Sequence, residues 1–462
     1  MMTTFSTESK KPTIVIVGAG LAGLTTAYRL HQQGANVHVY EARNRVGGRI
    51  LTAQVGAESV ELGGQNLSDG GSAENIQRLI DELNLEIKTH RNHLSFSYFN
   101  GEEFLSESTL RKNLVDPANL KSKLEEVASS ANNMRDVLDA LFEEKSILYN
   151  ALSVRLAAYE GAPPEKLSLL YMGTLYQMLL GGICAVHPGH AHEENYVEMI
   201  SLKEGNQILP EKLAQLLGEK IHLNRPLRAV SKNVEGEYIL TFQNEQHVKA
   251  DILVLTLPCS IYKDITFEET VIPQKQLELI KSIQYGKNAK ILIPFSQLPP
   301  EKMTFIDDQM GCFFADPNVL TLYFTGDAGQ FSSKTITEAY LRERPVLERG
   351  FGKFCPPLVR PVYAQDEAMQ KYQGPVGYSW PNDPYVKGSY SYIAPGQEVL
   401  LTSIDEVEGE KVKTLFKPIG NQLYFAGEHA SILLDIPGTM EAACESGERT
   451  ARMIKNGFSK SL

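Results

Sequence analysis

The chain has 462 residues, of which 42% are hydrophobic, and a formal net charge of −11. This length is enough for two domains, each with its own core. The negative charge argues against nucleic acid as a partner and weakly favours a cationic substrate. The five cysteines are scattered and form no CxxC pair, which indicates reduced thiols and no structural metal.

No segment predicts export or a membrane anchor. Residues 1–10 are polar and lack the apolar core of a signal peptide. The longest uncharged stretch, residues 167–186, is broken by Gln177 and by several glycines and tyrosines, so we expect a buried helix pair there. Residues 455–462 are short and polar and offer no tail anchor. We therefore expect a cytoplasmic location.

The first informative pattern lies near the N-terminus. The uncharged, β-branched run Thr13–Val17 predicts a strand, and the glycine-rich residues 18–23 follow it directly. Residues 24–33 are typical of a helix, and a second short strand over residues 37–40 ends at the acid Glu41. This is the order of elements that a dinucleotide-binding βαβ unit requires. It predicts a Rossmann-type domain that binds NAD or FAD.

The three glycines of this turn have separate physical roles. Gly18 allows the tight turn out of the strand, Gly20 lets the backbone approach a pyrophosphate, and Gly23 lets the helix pack closely on the sheet. The unsatisfied N–H groups at the helix start would then face the phosphates. Glu41 follows Gly23 by 18 residues, a position from which an acid can bond both hydroxyls of an adenosine ribose.

A second glycine turn favours FAD over NAD. The chain continues after the acid with Ala42 and Arg43, and then with Gly47, Gly48 and Arg49. Paired glycines let the backbone pass close to a diphosphate, and the flanking arginines can neutralise its charge. A plain NAD domain has no need of this second turn.

The remaining elements predict a discontinuous domain. A buried strand at residues 423–425 leads into Gly427 and Glu428 close to the C-terminus, which indicates a return to the first sheet. We therefore predict an α/β, Rossmann-type FAD-binding domain and an α+β substrate domain with a helical insertion. The FAD-binding domain is predicted from residues 12–85, 205–265 and 418–456, and the substrate domain from residues 86–204 and 266–417, including a helical region at 110–200.

With these residues in view, the chain resembles the flavin-containing amine oxidases. This family includes monoamine and polyamine oxidases, L-amino acid oxidases and the flavin-dependent histone demethylases. The resemblance implies a GR2-like nucleotide-binding fold. It rests on four blocks spread over nearly the whole chain, which are residues 18–49, 61–64, 285–290 and 424–449.

The resemblance implies how the flavin is held. Glu428, after Gly427, would bond the ribityl chain of FAD. The backbone near Thr439 and Met440, at a helix start, would face the pyrimidine edge of the flavin. The positive end of a helix there stabilises the anion of the reduced ring.

The resemblance also implies a lysine beside the flavin. Residues 61–64, which end at Gly64, and the following Gln65 match the segment where the chain of these enzymes passes close to the flavin ring. Lys290 matches the family lysine that holds a water against flavin N5, a role that suits a buried lysine of lowered pKa. The alternative for Lys290 is an ordinary surface charge.

The block at residues 380–392 resembles the polyamine oxidase and histone demethylase branch. Ser389 falls where mitochondrial monoamine oxidases carry the cysteine that joins FAD covalently, so the resemblance implies non-covalent FAD. Tyr390 matches one wall of the aromatic cage that this family has in front of the flavin. The resemblance also implies that Trp380, which opens the block, lies close to the flavin ring. The opposite wall, aromatic in monoamine oxidases, is Thr439 here, so the cage is half built.

Three further features bear on the substrate and on metal binding. Residues 64–67 lack the arginine that holds the substrate carboxylate in L-amino acid oxidases, which argues against an α-amino acid unless an arginine comes from elsewhere. Asp69 could face a distal ammonium group or cap a turn. The histidines at 187, 190 and 192 look metal-like, but Pro188 and Gly189 prevent a helix from aligning them, and a solvated loop is expected.

The resemblance therefore implies an FAD-dependent amine oxidase. Hydride would pass from the amine α-carbon to flavin N5, the imine would be hydrolysed to an aldehyde or ketone, and O2 would be reduced to hydrogen peroxide. A polyamine or other extended amine is the expected substrate, and the oligomeric state stays open. The alternatives are an L-amino acid oxidase, a protoporphyrinogen oxidase or desaturase, and a flavin-binding interaction protein with weak catalysis.

Overall fold

A computed structural model describes residues 11–67, 73–93, 97–110, 112, 117–181, 196–299, 303–316, 318–364, 372–434 and 436–459. Within these residues the α-helices are α1 (Leu21–Gln32), α2 (Glu74–Glu82), α3 (Glu107–Leu110), α4 (Pro117–Ala128), α5 (Met134–Leu141), α6 (Ile147–Glu160), α7 (Met172–Gly181), α8 (Ile208–Leu217), α9 (Gln274–Ser282), α10 (Ile336–Phe351), α11 (Glu398–Thr402) and α12 (Met440–Ser459).

The strands of the same residues are β1 (Thr13–Val17), β2 (Asn36–Tyr40), β3 (Thr52–Val55), β4 (Glu58–Glu61), β5 (Ile87–His93), β6 (Ser97–Phe99), β7 (Phe104–Leu105), β8 (Tyr196–Leu202), β9 (Ile221–His222), β10 (Leu227–Lys232), β11 (Tyr238–Phe242), β12 (His247–Ala250), β13 (Ile252–Leu255), β14 (Thr266–Phe267), β15 (Gln284–Tyr285), β16 (Ala289–Pro294), β17 (Phe305–Ile306), β18 (Met310–Asp316), β19 (Val319–Phe324), β20 (Val362–Tyr363), β21 (Val376–Ser379), β22 (Ser391–Tyr392), β23 (Ile404–Val407), β24 (Glu410–Lys413) and β25 (Leu423–Phe425).

A five-stranded parallel sheet in the order β25-β13-β1-β2-β9 carries the nucleotide-type motif. Its central strand β1 is uncharged because it is buried on both faces. Ile14 and Ile16 face one side, where they pack with α1, α8 and α12, and Val15 and Val17 face the other side. The predicted return of the chain to this sheet is confirmed, since β25 pairs with β13.

Helix α12 lies close against α1 because small residues face each other at the contact. A Cβ added to Gly447 would be 2.6 Å from the carbonyl oxygen of Ala22 and 3.0 Å from the Cβ of Thr25. This close approach carries the C-terminal helix to the same edge of the sheet as the glycine-rich turn. The start of α12 therefore reaches the site that the first turn begins.

The second region is an eight-stranded sheet in the order β20-β21-β16-β19-β18-β17-β6-β7. Helix α10 packs on it through Ile336, Tyr340, Leu347 and Phe351, which share one core with the central strand β16. Strand β16 pairs antiparallel with β19 and β21. It is the central position of β16 that buries its second residue, Lys290.

Helices α4 to α7 form a separate core within the predicted helical region. The predicted helical region 110–200 is wrong at its end. Residues from Tyr196 onward form β8, which pairs with β5, a partner that is distant in sequence and gives no local signal. Asp69 and the histidines at 187, 190 and 192 lie outside the described residues.

The division into two domains stays a prediction, although the five parallel strands do come from all three segments assigned to the FAD-binding domain. Among the described helices, none combines the length and apolar character that crossing a bilayer requires. Nor do the described side chains place three or more His, Cys, Asp or Glu where they could hold a metal ion.

Candidate active site

The first glycine turn is shaped as a phosphate-binding loop. Gly18 adopts φ +109°, and its N–H donates to the Tyr40 carbonyl at 2.8 Å. A Cβ on Gly23 would overlap the carbonyl oxygen of Gly18, whereas a Cβ on Gly20 would meet no heavy atom within 4 Å. No side chain of the described residues caps α1. The first-turn N–H groups are therefore left to bind an anion.

Glu41 fixes this loop to the end of β2. Its carboxylate is 4% exposed and accepts hydrogen bonds from the N–H of Ala19 at 2.8 Å and of Arg43 at 2.9 Å. Ala42, between the acid and the arginine, is partly buried. The acid therefore orders the loop through the chain's own backbone, and its bond to a ribose stays a prediction.

The second glycine turn lies directly on the first. The N–H of Gly47 donates to the carbonyl of Ala19 at 2.8 Å, and Gly47 and Gly20 form an isolated parallel bridge. A Cβ on Gly48 would be 3.2 Å from the Cα of Gly20. The two turns touch because glycines are present on both sides. Together they form a cradle, which we call the glycine cradle (residues 18–23 and 47–48).

The arginines beside the cradle have partners within the protein. Arg43 forms an ion pair with Asp383, which is 1% exposed and also accepts a hydrogen bond from the Tyr378 hydroxyl. Arg49 donates to the Ser389 carbonyl and to the Glu428 carboxylate, both at 2.8 Å. The predicted neutralisation of a diphosphate is therefore not their only use. They tie the cradle to the block at residues 380–392.

Glu428 is the centre of this link. It is 3% exposed, and its carboxylate accepts from Arg49 at 2.8 Å and from the Ser391 hydroxyl at 2.6 Å. Burial by itself raises the pKa of the Glu428 carboxyl, but Arg49 and the hydrogen bonds outweigh burial and lower it, so the acid is ionised. Gly427 before it adopts φ +140° and donates its N–H to Ser446 Oγ at 2.9 Å.

Lys290 is buried, so the surface alternative is wrong. Its side chain is 6% exposed, and Nζ donates to the carbonyls of Glu61 at 2.9 Å and Gly63 at 3.0 Å and to Gln65 Oε1 at 3.1 Å. Burial lowers the pKa of the Lys290 ammonium, and the charge of Glu61 only partly opposes this. The lysine therefore holds the turn at residues 61–65, which includes Gly64.

Glu61 and Asn206 complete this turn and were not predicted. The Glu61 carboxylate accepts from Thr52 Oγ1 at 3.0 Å and from the Asn206 N–H at 2.8 Å, and burial raises its pKa. The Asn206 side-chain amide donates to the carbonyls of Gly64 at 3.1 Å and Gln65 at 2.7 Å. The signal that could have identified Glu61 is its position as an acid at the end of the short strand β4. Asn206 is brought to the turn only by the tertiary fold, so no local signal marks it.

Trp380 contacts the same turn from the other side. Its Nε1 donates to the Leu62 carbonyl at 3.1 Å, the side chain is 5% exposed, and its ring meets Tyr378 edge-on with centroids 4.6 Å apart. Trp380 and Lys290 thus bind consecutive carbonyls of one turn. If the turn at residues 61–65 lies against the flavin ring, Trp380 and Lys290 are both close to the flavin, as predicted.

Ser389 and Asn288 form a buried polar pair. Ser389 Oγ donates to Asn288 Oδ1, and the Ser389 N–H donates to the Gly286 carbonyl at 2.8 Å. The Asn288 side-chain nitrogen is buried without a hydrogen-bond partner among the described residues. A buried amide that lacks a partner is costly, so its donor is available to a bound group. Asn288 lies in the block at residues 285–290, but it was not predicted as a site residue.

Tyr390 and Thr439 lie together beside the start of α12. A Cβ on Gly438 would be 3.0 Å from the Tyr390 Cβ, so this tyrosine packs on the residue before Thr439. The Thr439 hydroxyl accepts from the Ala442 N–H at 3.1 Å and donates to the Ile436 carbonyl at 2.8 Å. Its hydroxyl therefore caps the helix, and only its methyl group is left to form a wall.

The start of α12 also meets the lysine-bound turn. A Cβ on Gly64 would be 3.0 Å from the Met440 Sδ, so the Met440 side chain lies against Gly64. The structure thus brings Lys290, Trp380, Gly64 and Met440 around one turn and places Tyr390 and Thr439 next to it. The glycine cradle is joined to this group by the Gly64 N–H, which donates to the Arg49 carbonyl at 3.2 Å, and by the ion pair of Arg49 with Glu428.

Comparison with known proteins shows the family to which the chain belongs. A family model described as flavin containing amine oxidoreductase matches residues 21–455. This chain belongs to the flavin-containing amine oxidase family. Amine oxidase [flavin-containing] B of Sus scrofa is 26% identical over 98% of this chain and 88% of its own length. The corresponding A enzyme of Sus scrofa is 24% identical over 97% and 85%.

Solved structures share the fold. Cyclohexylamine oxidase from Brevibacterium oxydans IH-35A matches with a TM-score of 0.72 and 20% identity over 97% of this chain and 100% of that one. Wild-type putrescine oxidase bound to putrescine matches with a TM-score of 0.68 and 18% identity over 96% and 99%. The predicted α/β FAD-binding fold and the family are confirmed.

The residues of this family member fit FAD, its cofactor. The open side of Gly20 and the uncapped start of α1 suit a pyrophosphate, and the unpartnered Asn288 amide can donate to a bound group. The family match also favours an amine oxidase over a protoporphyrinogen oxidase or desaturase. The individual roles of the residues stay predictions.

Proposed function

We propose that this amine oxidase acts on polyamines or other extended amines, with FAD held non-covalently. The observation that carries the reaction type is the buried Lys290, whose Nζ binds the turn at residues 61–65 from one side while Trp380 binds it from the other. When bound, FAD would accept the hydride of the amine α-carbon and pass the electrons to O2, which gives hydrogen peroxide.

Lys290 would hold and move a proton at Nζ. Two of its donors are committed to the carbonyls of Glu61 and Gly63, and a third reaches Gln65 Oε1. Exchange of the Gln65 contact for a water would place that water beside the turn. The lowered pKa of Lys290 lets the ammonium release a proton close to neutral pH, where a surface lysine would keep it.

The aromatic groups would orient the amine and exclude water. Trp380 is buried against the lysine-bound turn, and Tyr390 is held at both ends, by Gly438 at its Cβ and by the Tyr159 carbonyl at its hydroxyl, 2.9 Å away. A ring fixed in this way presents one face to a substrate. An aromatic face suits an amine in either charge state. The Tyr390 ring and Lys290 would together position the amine, and neither would act as a nucleophile.

Non-covalent FAD is proposed from Ser389. A hydroxyl cannot form the thioether of mitochondrial monoamine oxidases, and this one already donates to Asn288. Precipitation of the protein with acid should release the yellow flavin into the supernatant. Colour that stays in the pellet would contradict the proposal.

The preference for extended amines is supported by the block at residues 380–392 and by the missing arginine at residues 64–67. Monoamines are the second candidate, because the curated relatives are amine oxidases A and B and one structural match is a cyclohexylamine oxidase. A cytoplasmic location stays a prediction from the sequence.

An amine panel tests the proposal. Purified holoenzyme is given diamines, polyamines, monoamines and L-amino acids, and peroxide release is measured together with anaerobic bleaching of the flavin. We expect the largest kcat/KM for a diamine or polyamine. A larger value for a monoamine or an L-amino acid would overturn the substrate class, and no bleaching with any amine would favour a flavin-binding interaction protein.

A further inference from the structure

The end of helix α6 lies against the Tyr390 ring. Gly161 ends the helix with φ +83°, and a Cβ added there would be 2.9 Å from Tyr390 Cε2. The Gly161 carbonyl accepts the N–H of Lys287 at 3.3 Å, in the segment that leads to Lys290. The last residue of the helix, Glu160, is therefore next to the ring that we place beside the substrate.

The environment of the Glu160 carboxyl disfavours its ionised form. It is half-buried, Oε1 accepts a hydrogen bond from the Thr174 hydroxyl at 2.6 Å, and the described residues offer the carboxyl no other hydrogen bond or ion pair. Burial raises its pKa to about 7, with Thr174 as the only other contribution, so no cationic side chain of the described residues acts on it. The negative end of a helix disfavours an anion further.

Among the described residues, two phenols also lie close to the Glu160 carboxyl. The Glu160 carboxyl lies close enough to Tyr171 and Tyr390 to raise the pKa of both hydroxyls. Neither phenol can neutralise an acid. A half-buried carboxylate without a cationic partner is costly, and a bound cation would remove that cost.

We propose that Glu160 binds the distal ammonium group of a diamine or polyamine whose reacting amine lies at the other end of the Tyr390 ring. The Tyr390 Cβ packs on Gly438, beside Thr439, and its hydroxyl reaches the carbonyl of Tyr159, the residue before Glu160. The two ammonium positions are thus separated by about one tyrosine side chain. This spacing selects diamines with a short methylene chain, and the inference rests on the proposed amine oxidase function.

The test is a selectivity ratio. Anaerobic stopped-flow reduction of the flavin gives the rate constant divided by Kd for diamines of three to six methylenes and for monoamines of equal chain length. In Glu160→Gln the ratio of diamine to monoamine should fall about 10- to 100-fold, the usual effect of losing a hydrogen bond between charged groups. The fall should appear in Kd and be largest for one chain length, which a merely structural role would not produce.

Glu165→Gln is the matched control. This acid is on the same helical region, but it is exposed and paired with Arg135 at 3.0 Å. Its ratio should match that of the wild type. Thr174→Val is the second variant, which removes only the hydroxyl that orients Glu160 and should lower the ratio by a smaller factor.

The outcomes separate the two proposals. If no amine bleaches the wild-type flavin, the amine oxidase function itself fails. If amines bleach it but Glu160→Gln keeps the wild-type ratio, or loses diamine and monoamine rates equally, the role of Glu160 is overturned. Should Glu160→Gln fail to fold, an unchanged ratio in Thr174→Val overturns it instead.

Discussion

The glycine cradle and the helical region differ in the partners that the protein supplies to the acids beside them. Glu41, which binds the cradle, accepts two backbone N–H groups, and Glu428 beside the cradle accepts from Arg49 and Ser391. The Glu160 carboxyl in the helical region has, among the described residues, only the Thr174 hydroxyl as a hydrogen-bond partner. A carboxylate that the chain itself satisfies serves to order the protein, whereas one left without a cation is available to a ligand.

The largest effect is expected in the cradle itself, at Gly20 and Gly23. This pair separates a residue that orders the protein from one that is left open to a ligand. Gly23→Ala places a Cβ on the carbonyl of Gly18, so it should lower the free energy of unfolding by about 3 kcal/mol or more. Gly20→Ala meets no atom within 4 Å. It should leave the stability of the apoprotein nearly unchanged but weaken FAD at least about tenfold.

Urea unfolding of the two apoproteins and titration with FAD measure both quantities. The matched pair separates packing from cofactor contact, because the same Cβ is added at both positions. Wild-type FAD affinity in Gly20→Ala would show that no pyrophosphate approaches this turn.

A smaller effect is expected at Lys290, which lies outside both regions in strand β16. Lys290→Met should slow flavin reduction or reoxidation at least about tenfold, a change of about 1.4 kcal/mol in the barrier. The reason is the loss of a proton-exchanging group that also holds the turn at residues 61–65. Stopped-flow rates of both half-reactions give the measurement.

Lys413→Met is a control for the loss of a buried lysine. Lys413 is 6% exposed as well, and within the described part of the chain its Nζ donates only to the His429 carbonyl, at 3.0 Å. Equal slowing in both variants would mean that burial rather than position explains the result. Unchanged rates in Lys290→Met would remove this lysine from the mechanism.

The smallest effect concerns the pH dependence of stability. Without amine, the folded state keeps Glu160 protonated to a higher pH than the unfolded state, because its pKa is raised from 4.5 to about 7. The folded state then binds more protons, so stability falls as pH rises from about 4.5 to 7. The nearby phenols of Tyr171 and Tyr390, whose pKa values are raised, stay neutral throughout.

Glu160→Gln lacks this loss, so its unfolding midpoint in urea should rise relative to that of the wild type across the same pH range. Glu165→Gln, the exposed control, should run parallel to the wild type. A parallel course for Glu160→Gln as well would contradict the raised pKa and weaken the comparison between the two regions.

Much of the first region was predictable because its signals are local. The strand Thr13–Val17 and the glycines at 18, 20 and 23 follow from backbone geometry that only those residue types allow. The strands predicted at residues 37–40 and 423–425 lie within one residue of the bounds that the structure shows. Strand β8 was missed, because its pairing with β5 joins residues about a hundred positions apart.

The sequence by itself determined the cofactor-binding turn, the family and the candidate residues, since each depends on short motifs whose chemistry is independent of the rest of the chain. Only the tertiary structure decided the partners of those residues. Burial at the centre of the eight-stranded sheet lowers the pKa of Lys290, and Asp383 meets Arg43 across 340 residues. The role proposed for Glu160 depends on the fold in the same way. Folding places two phenols, and no cationic side chain of the described residues, beside its carboxyl. Desolvation and distance of this kind are not encoded in any short stretch of sequence.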